Sequence, residues 1–421
     1  MNSTFFKTNF KEVFSLVLLF IVLYLEPIQI GGLKISQIWK GIVVFLILTF
    51  LFKKRLPIFY WFGLLFSFKF LLYSNLPYGV FNNFRLFLES LIFPLALGYL
   101  YIYFKNKNNL EYLIHLGLLL SIFLIYSSVP FLLGLESLYP EYDLSEKYNI
   151  NLSATKGIFY HIASASKMFT VATVYLFIFR NKFKNSKLNR LFWLVSFLIG
   201  NFLIVMSWTR TAWFIYLSAI LIAVFYKSKL KIKLLGIISF FIFSIGVSYV
   251  YETNQAFRWR MTGGASYREE TELSFEQLLN ARAPYIVTAI DNMKDEGLAS
   301  TFLGYGEQRG IDMFEEKTNM AITSHNATFE ILESNGVLGL FFYILFIGSL
   351  IKLLKRYWNY IDPLYKKTTL IMLFLLICFY LSSHGTPLWG ELIYAFLFTY
   401  VILQGRRNKI DSLNKINKLQ E

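Results

Sequence analysis

The chain is poor in the residues that brace a secreted domain or serve a metalloenzyme. One cysteine, Cys378, stands among 421 residues and lies inside an apolar run, so no disulfide framework exists. Charged residues make up 16%, against about a quarter in soluble domains. Histidine is scarce, with four in all: His115, His161, His325 and His384. Several nucleotide and metal signatures are missing: the phosphate-binding loop, the glycine-rich dinucleotide fingerprint, the His-Glu-x-x-His metal motif, and an Asp-x-Asp pair to hold a divalent ion with a sugar nucleotide. These absences argue against nucleotide-fuelled or metal-dependent chemistry, and no cofactor is expected.

What fills the chain is apolar. Hydrophobic residues make up 56% and aromatics 19%, and runs of membrane-spanning length recur from end to end. The expectation is an all-α polytopic membrane protein. Its spans, about twelve, fall near 12–27, 35–52, 56–73, 84–104, 111–134, 157–179, 191–207, 211–226, 233–251, 336–354, 368–383 and 389–404. The first run has the look of a signal-peptide core, but no small-residue cleavage site follows and further spans succeed it, so it reads as the first span.

The formal charge of +15 invites a nucleic-acid reading, which its distribution opposes. Basic residues cluster in short loops: Lys53-Lys54-Arg55, Lys105 and Lys107, Arg180 to Arg190, Lys227 to Lys233, Lys352 to Lys367, and the tail from Arg406. They recur at every second loop, which is the positive-inside signature of topology. Twelve spans from a cytoplasmic N-terminus return every such cluster, and both termini, to the cytoplasm. The expected organisation is a membrane domain over 1–251 with about nine spans, an external loop over 252–335, about three spans over 336–404, and a basic cytoplasmic tail over 405–421.

The external loop carries fourteen acidic residues against seven basic ones, an acidic patch in a basic chain. Its apolar spacing predicts a helix beginning near Ser274 and another over Ala283 to Met293, with Gly304-Tyr305-Gly306 as a turn.

Charges inside or at the ends of spans are expensive and need a reason. Arg210, in Ser207-Trp208-Thr209-Arg210-Thr211-Ala212, sits in a very short external link; a guanidinium there can meet a phosphate bidentately, or snorkel to headgroups. Arg282, just before Pro284, stands at the head of a loop helix, where a plain surface salt bridge is the alternative. The other loop arginines, Arg258, Arg260, Arg268 and Arg309, suit salt bridges better. Arg85 and Glu89 share a helix face four residues apart, and pairing would make their burial tolerable. Lys69, Lys167, His161 and Glu391 are boundary residues best suited to structural pairing. His115 falls near the cytoplasmic end of its span, and His384 lies on the external side. His325, in Ser324-His325-Asn326, stands where the polar loop meets the next span; an imidazole there is suited to proton transfer, with Asn326 placed to orient the ring or cap the helix. Glu330 and Glu333 follow one and two turns on, and Gly336 and Gly339 mark a close approach.

In order along the chain, Ser207-x-Thr209-Arg210-Thr211-Ala212, then Arg282 before Gly304-x-Gly306, then His325-Asn326, nine residues, and Gly336-Val337-Leu338-Gly339 resemble the O-antigen ligase and O-antigen polymerase superfamily of bacterial membrane enzymes. One departure is visible: family members often carry an Asn shortly after a Gly-x-Phe, and Gly157-Ile158-Phe159-Tyr160-His161 has none.

The resemblance implies glycosyl transfer from an undecaprenyl-diphosphate-linked glycan at the outer face of the bacterial inner membrane. His325 would be the general base, with Arg210 and Arg282 stabilising the diphosphate. Arg85, Asn326, Trp259 and Tyr267 are further substrate-binding candidates. The partners would be the lipid-linked donor, a glycan or lipid A-core acceptor, membrane lipids and a chain-length regulator, with no nucleic acid. A repeat-unit polymerase is the first reading; a ligase to lipid A-core or to protein is the second. A flippase for the same lipid-linked units shares the span count, but transporters typically show matching halves, and this chain has one large asymmetric loop.

Overall fold

In the computed structural model the described residues are 17, 20–25, 29–30, 33–51, 55–69, 80–105, 111–133, 142–143, 153–159, 162–185, 187–226, 229–253, 283–318, 326–382 and 388–420. They are overwhelmingly helical. In an apolar surrounding a backbone must satisfy its own hydrogen bonds, and long runs of Leu, Ile and Phe do so as helices. The helices are α1 (Ile35–Leu51), α2 (Ile58–Lys69), α3 (Val80–Phe104), α4 (Glu111–Leu132), α5 (Ile162–Phe179), α6 (Lys187–Met206), α7 (Arg210–Phe225) and α8 (Leu230–Thr253). They continue as α9 (Ala283–Asp295), α10 (Gly297–Leu303), α11 (Glu307–Thr318), α12 (Ala327–Tyr357), α13 (Pro363–Ser382) and α14 (Leu388–Gln420). Two antiparallel pairings of two residues each, Gln29–Ile30 with Leu33–Lys34 and Tyr142–Asp143 with Ser153–Ala154, are the described strands.

Among the described residues, four stretches are long and apolar enough to cross a membrane: Tyr112–Leu132, Ile162–Phe183, Lys187–Met206 and Ala327–Tyr360. Shorter apolar helices cover Ile38–Thr49, Ile58–Phe68, Ser90–Phe104 and Arg210–Phe225.

Two compact units divide the chain. The first comprises residues 1–112 and 285–421. Within it α2 packs against α3 and α12, and α3 also receives α1 and α14. Gly63 lets α2 enter so closely, since a Cβ there would lie 2.6 Å from Pro94 Cβ and 3.1 Å from Phe346 Cε2. Where α3 ends, Phe104 meets Phe396 and Tyr400 edge-on, with centroids 5.2 and 5.6 Å away, an arrangement that favours aromatic quadrupoles over plain stacking.

The second unit comprises residues 113–284 and is built round α5, whose residues from Ala165 to Phe179 are buried with the exception of Phe177. Helices α6 and α7 flank it. Tyr175 donates its hydroxyl to the Leu113 carbonyl at 2.7 Å, and Trp193 Nε1 donates to the Leu176 carbonyl at 2.8 Å, so both aromatic polar tips are satisfied inside apolar surroundings.

Several boundaries differ from the sequence expectation. The sixth expected span begins at Gly157, but the helix starts at Ile162; Thr155 to Phe159 form a buried, non-helical segment because Gly157 adopts φ +55°. The span expected from Gly336 begins at Ala327, with Gly336 as a kink inside the helix. The tail expected to start at residue 405 continues the last helix without a break to Gln420.

Candidate active site

Arg210 opens α7 in the second unit. Helix α6 ends at Met206, and the chain reverses through Trp208, whose φ of 49° is costly for a bulky side chain. Trp208 and Trp213 bracket the turn with ring centroids 5.7 Å apart, and Trp213 Nε1 donates to the Ile204 carbonyl at 2.8 Å. Thr209 occupies the N-cap in extended conformation, yet makes no side-chain cap; its hydroxyl turns back to the Ser207 carbonyl at 3.1 Å. No acidic residue lies in the first turn of α7. Partial positive charge gathers at a helix N-terminus, so a guanidinium placed there works against the dipole. Arg210 is half-buried at the head of α7, where the helix N-terminus adds its own partial positive charge.

A second non-helical segment docks beside this turn. The Thr155 N–H donates to the Met206 carbonyl at 3.0 Å, Gly157 N–H donates to Thr155 Oγ1 at 3.1 Å, and Phe159 N–H donates to the Lys156 carbonyl at 3.1 Å. Lys156 sits in this segment at 8% exposure, and burial lowers its pKa below the ordinary lysine value. Sequence reasoning passed over Lys156. Its signal was the neighbouring Gly157, which marks a backbone that departs from the helix.

In the first unit, Asn326 is the N-cap of α12: its side chain accepts from the Thr328 N–H at 3.0 Å. That is the capping alternative of the two roles expected for it. Ten residues on, Gly336 adopts φ 65° and ψ −174°, and α10 with its following turn lies against this kink. A Cβ on Gly304 would lie 2.5 Å from the Ser334 carbonyl oxygen, and one on Gly336 would overlap the Phe302 carbonyl oxygen. Two glycines thus interlock a loop turn with a membrane-length helix.

The expected turn over Gly304-Tyr305-Gly306 is present, with φ of 86° and 92° at its glycines. The expected helix from Ala283 is α9. Tyr305 closes the interlock through its N–H to the Glu333 carbonyl at 2.8 Å and its hydroxyl to Glu333 Oε1 at 2.8 Å. Glu333 is 4% exposed. Burial first, then the Glu333 carboxylate, pushes the Tyr305 phenol well above its ordinary 10.0. At the surface, Arg309 bridges Glu296 at 2.9 Å and Lys317 bridges Asp295 at 2.6 Å, fulfilling the salt-bridge role expected of Arg309.

His325, Arg282, Trp259 and Tyr267 lie outside the described residues, as do His161, His384 and the helix expected near Ser274. Arg85 and Glu89 stand four residues apart on α3, and their side chains are likewise outside the description, as are those of Lys69 and Glu391. Lys167 is buried in α5. Among the described residues, no three His, Cys, Asp or Glu side chains cluster as metal ligands would.

The protein is a helical chain with several helices long and apolar enough to cross a membrane and an arginine at the head of one apolar helix. Compared with known proteins, the chain matches no family model and no curated relative.

Proposed function

We propose that this chain is a membrane glycosyltransferase that extends a glycan carried on undecaprenyl diphosphate, working at the outer face of the bacterial inner membrane. About twelve spans, both termini in the cytoplasm and an external loop over 252–335 complete this reading. The observation that carries it is Arg210, set at the positive end of α7 after the strained Trp208 turn, where a helix dipole by itself would repel a cation. The ordered motifs ending at His325-Asn326 and Gly336 support the same reading.

In the reaction the bond from the anomeric carbon to the diphosphate oxygen breaks, and a bond to an acceptor hydroxyl oxygen forms. His325 takes the hydroxyl proton, and the polyprenyl diphosphate departs with its charge held by Arg210 and Arg282. The diphosphate ester already stores the driving force, so no nucleotide is consumed.

The test is deletion of the gene in the native host, followed by gel analysis of envelope glycan. A single repeat unit where a long chain stood supports the polymerase. Full-length chains accumulating on undecaprenyl diphosphate indicate the ligase, and lipid-linked units trapped inside indicate a flippase. Arg210→Ala and His325→Ala are expected to abolish transfer while membrane insertion persists; wild-type transfer from either removes the assignment.

A further inference from the structure

We infer that the short turn Trp358–Tyr360, with the helix ends it joins, is a binding surface for an anionic phospholipid. Arg356, Lys366 and Lys409 hold the phosphate, and exposed apolar stripes on α12 and α13 take the acyl chains. No step of the proposed reaction uses this surface.

Positive charge accumulates where α12, α13 and α14 meet. Residues 352–367 carry five basic side chains and one acidic one, and residues 404–415 carry four and one. Membrane topology requires charge of that sign but no particular arrangement. Here three cations are arranged on rings at neighbouring positions. Arg356 Cζ lies 6.0 Å from the Tyr357 ring centroid, Lys366 Nζ 5.9 Å from that of Trp358, and Lys409 Nζ 5.7 Å from that of Tyr360. One cation thus comes from each of three helices to a single turn. Among the described residues no carboxylate forms an ion pair with any of the three. The turn itself is pinned: Asn408 Nδ2 donates to the Tyr360 carbonyl at 2.8 Å, and Gln404 Nε2 donates to the Asp362 carboxylate. Gly405 admits α14, since a Cβ there would lie 2.8 Å from Ile361 Cγ1 and 2.9 Å from Tyr357 Cβ. Cations placed before a ligand arrives lose less freedom on binding it.

The apolar flanks make a lipid the occupant rather than free phosphate. On α12, Ile344 and Ile351 are exposed on one helix face, and exposed Lys355 follows a turn later on the same face. On α13, Ile377 and Leu370 are exposed at the same spacing, and Lys366 lies one turn before Leu370. Each stripe therefore ends at an ammonium near the turn. The α12 stripe is interrupted by Gly348, which has nothing within 4 Å of a built Cβ, and the gap between the two isoleucines is room for an acyl chain. The stretch Ala327–Tyr360 is long and apolar enough to cross a membrane, so its last residues fall at headgroup depth. Trp and Tyr favour that depth, and Lys and Arg there extend to lipid phosphates. Arg356 suits bidentate contact with a phosphodiester, and the two lysines act on it as point charges.

The test uses the full chain purified in detergent, with binding of a fluorescent phosphatidylglycerol followed by anisotropy and competed by unlabelled ligands. Phosphatidylglycerol and cardiolipin are expected to displace the probe roughly tenfold better than phosphatidylcholine or inorganic phosphate. Arg356→Gln, Lys366→Gln and Lys409→Gln combined should weaken probe binding roughly tenfold or more. Gly348→Leu, which fills the gap and leaves every charge in place, should weaken it about threefold. An equal change in another basic stretch, Lys182→Gln, Lys187→Gln and Arg190→Gln combined, should leave it within about twofold. Should the first triple variant fail to fold, Lys366→Gln and Lys409→Gln as single changes should each weaken binding about threefold. Equal displacement by phosphatidylcholine, or equal weakening by the two triple variants, overturns the surface. Equal displacement by inorganic phosphate, or wild-type binding in Gly348→Leu, overturns the assignment of a lipid along α12.

Discussion

Gly336 is the residue whose backbone does most to shape the region after the loop. Its φ of 65° permits the kink in α12, and its missing side chain admits the Phe302 carbonyl. Gly336→Ala is expected to lower stability by about 3 kcal/mol or more, from left-handed backbone strain plus the displaced turn. Gly348, on the same helix, has nothing within 4 Å of a built Cβ. Gly348→Ala should be neutral or stabilising by about 0.5–1 kcal/mol through lost unfolded-state freedom. Thermal melting of the two variants in detergent checks the contrast; equal melting temperatures would refute the interlock. Tyr305→Phe removes a donor from the buried Glu333 carboxylate and should cost about 1–3 kcal/mol. Because the folded phenol titrates above its unfolded value of 10.0, its contribution is whole below pH 10 and is lost as pH rises further. Between pH 9 and 11 the wild type should therefore lose melting temperature more steeply than Tyr305→Phe, and parallel curves would contradict that coupling. Asn326→Ala should cost about 1 kcal/mol as a lost N-cap, and Asn326→Ser should recover it.

At the scale of elements, legibility followed backbone chemistry. The start of α9 was readable from Pro284, which suits the first helical turn, and the turn after α10 from its paired glycines. Both signals are local, so no tertiary knowledge was needed. The segment before α5 was not readable, because Ile158, Phe159 and Ile162 continue an apolar run that a hydropathy window cannot distinguish from helix. Only the Phe169 ring and the Ser127 carbonyl crowding Gly157 reveal why the chain turns there. The packing of α6 on α5 was equally hidden: a Cβ on Gly200 would overlap Thr173 Oγ1, a meeting of residues far apart in sequence. Gly200→Ala should displace α6 and destabilise the second unit by about 1–3 kcal/mol, since overpacking a close helix contact forces side chains off their rotamers. Limited proteolysis at the link after α6 would report it, and unchanged cleavage rates would show that Thr173 simply rotates away.

For the whole molecule, the helical class was visible in composition alone, while the site was visible only as types of residue. Arg210 could be singled out, and set just before the span expected from 211, because a cation at an apolar boundary needs a reason, but the Lys156 segment hydrogen-bonded to the preceding turn depends on a contact between residues about fifty positions apart. Sidedness is the remaining property of the whole chain, and the charge pattern makes a sharp prediction about it. From basic clusters at every second loop, the expectation is that residues 227–233 and the helical extension of α14 lie in the cytoplasm, and the acidic stretch 252–335 outside. The lone cysteine makes this accessible: in a Cys378→Ser background, single cysteines at Ser228, Ser274 and Ser412 can each be challenged with a membrane-impermeant maleimide on intact spheroplasts. Ser274→Cys should label directly, whereas Ser228→Cys and Ser412→Cys should label only after the membrane is opened. Direct labelling at Ser412→Cys would mean an odd number of spans between 274 and the tail is wrong. It would put the basic end of α14 on the same side as the acidic loop, whereas direct labelling at Ser228→Cys, one expected span on from Arg210, would take from Arg210 the external position that its proposed chemistry requires.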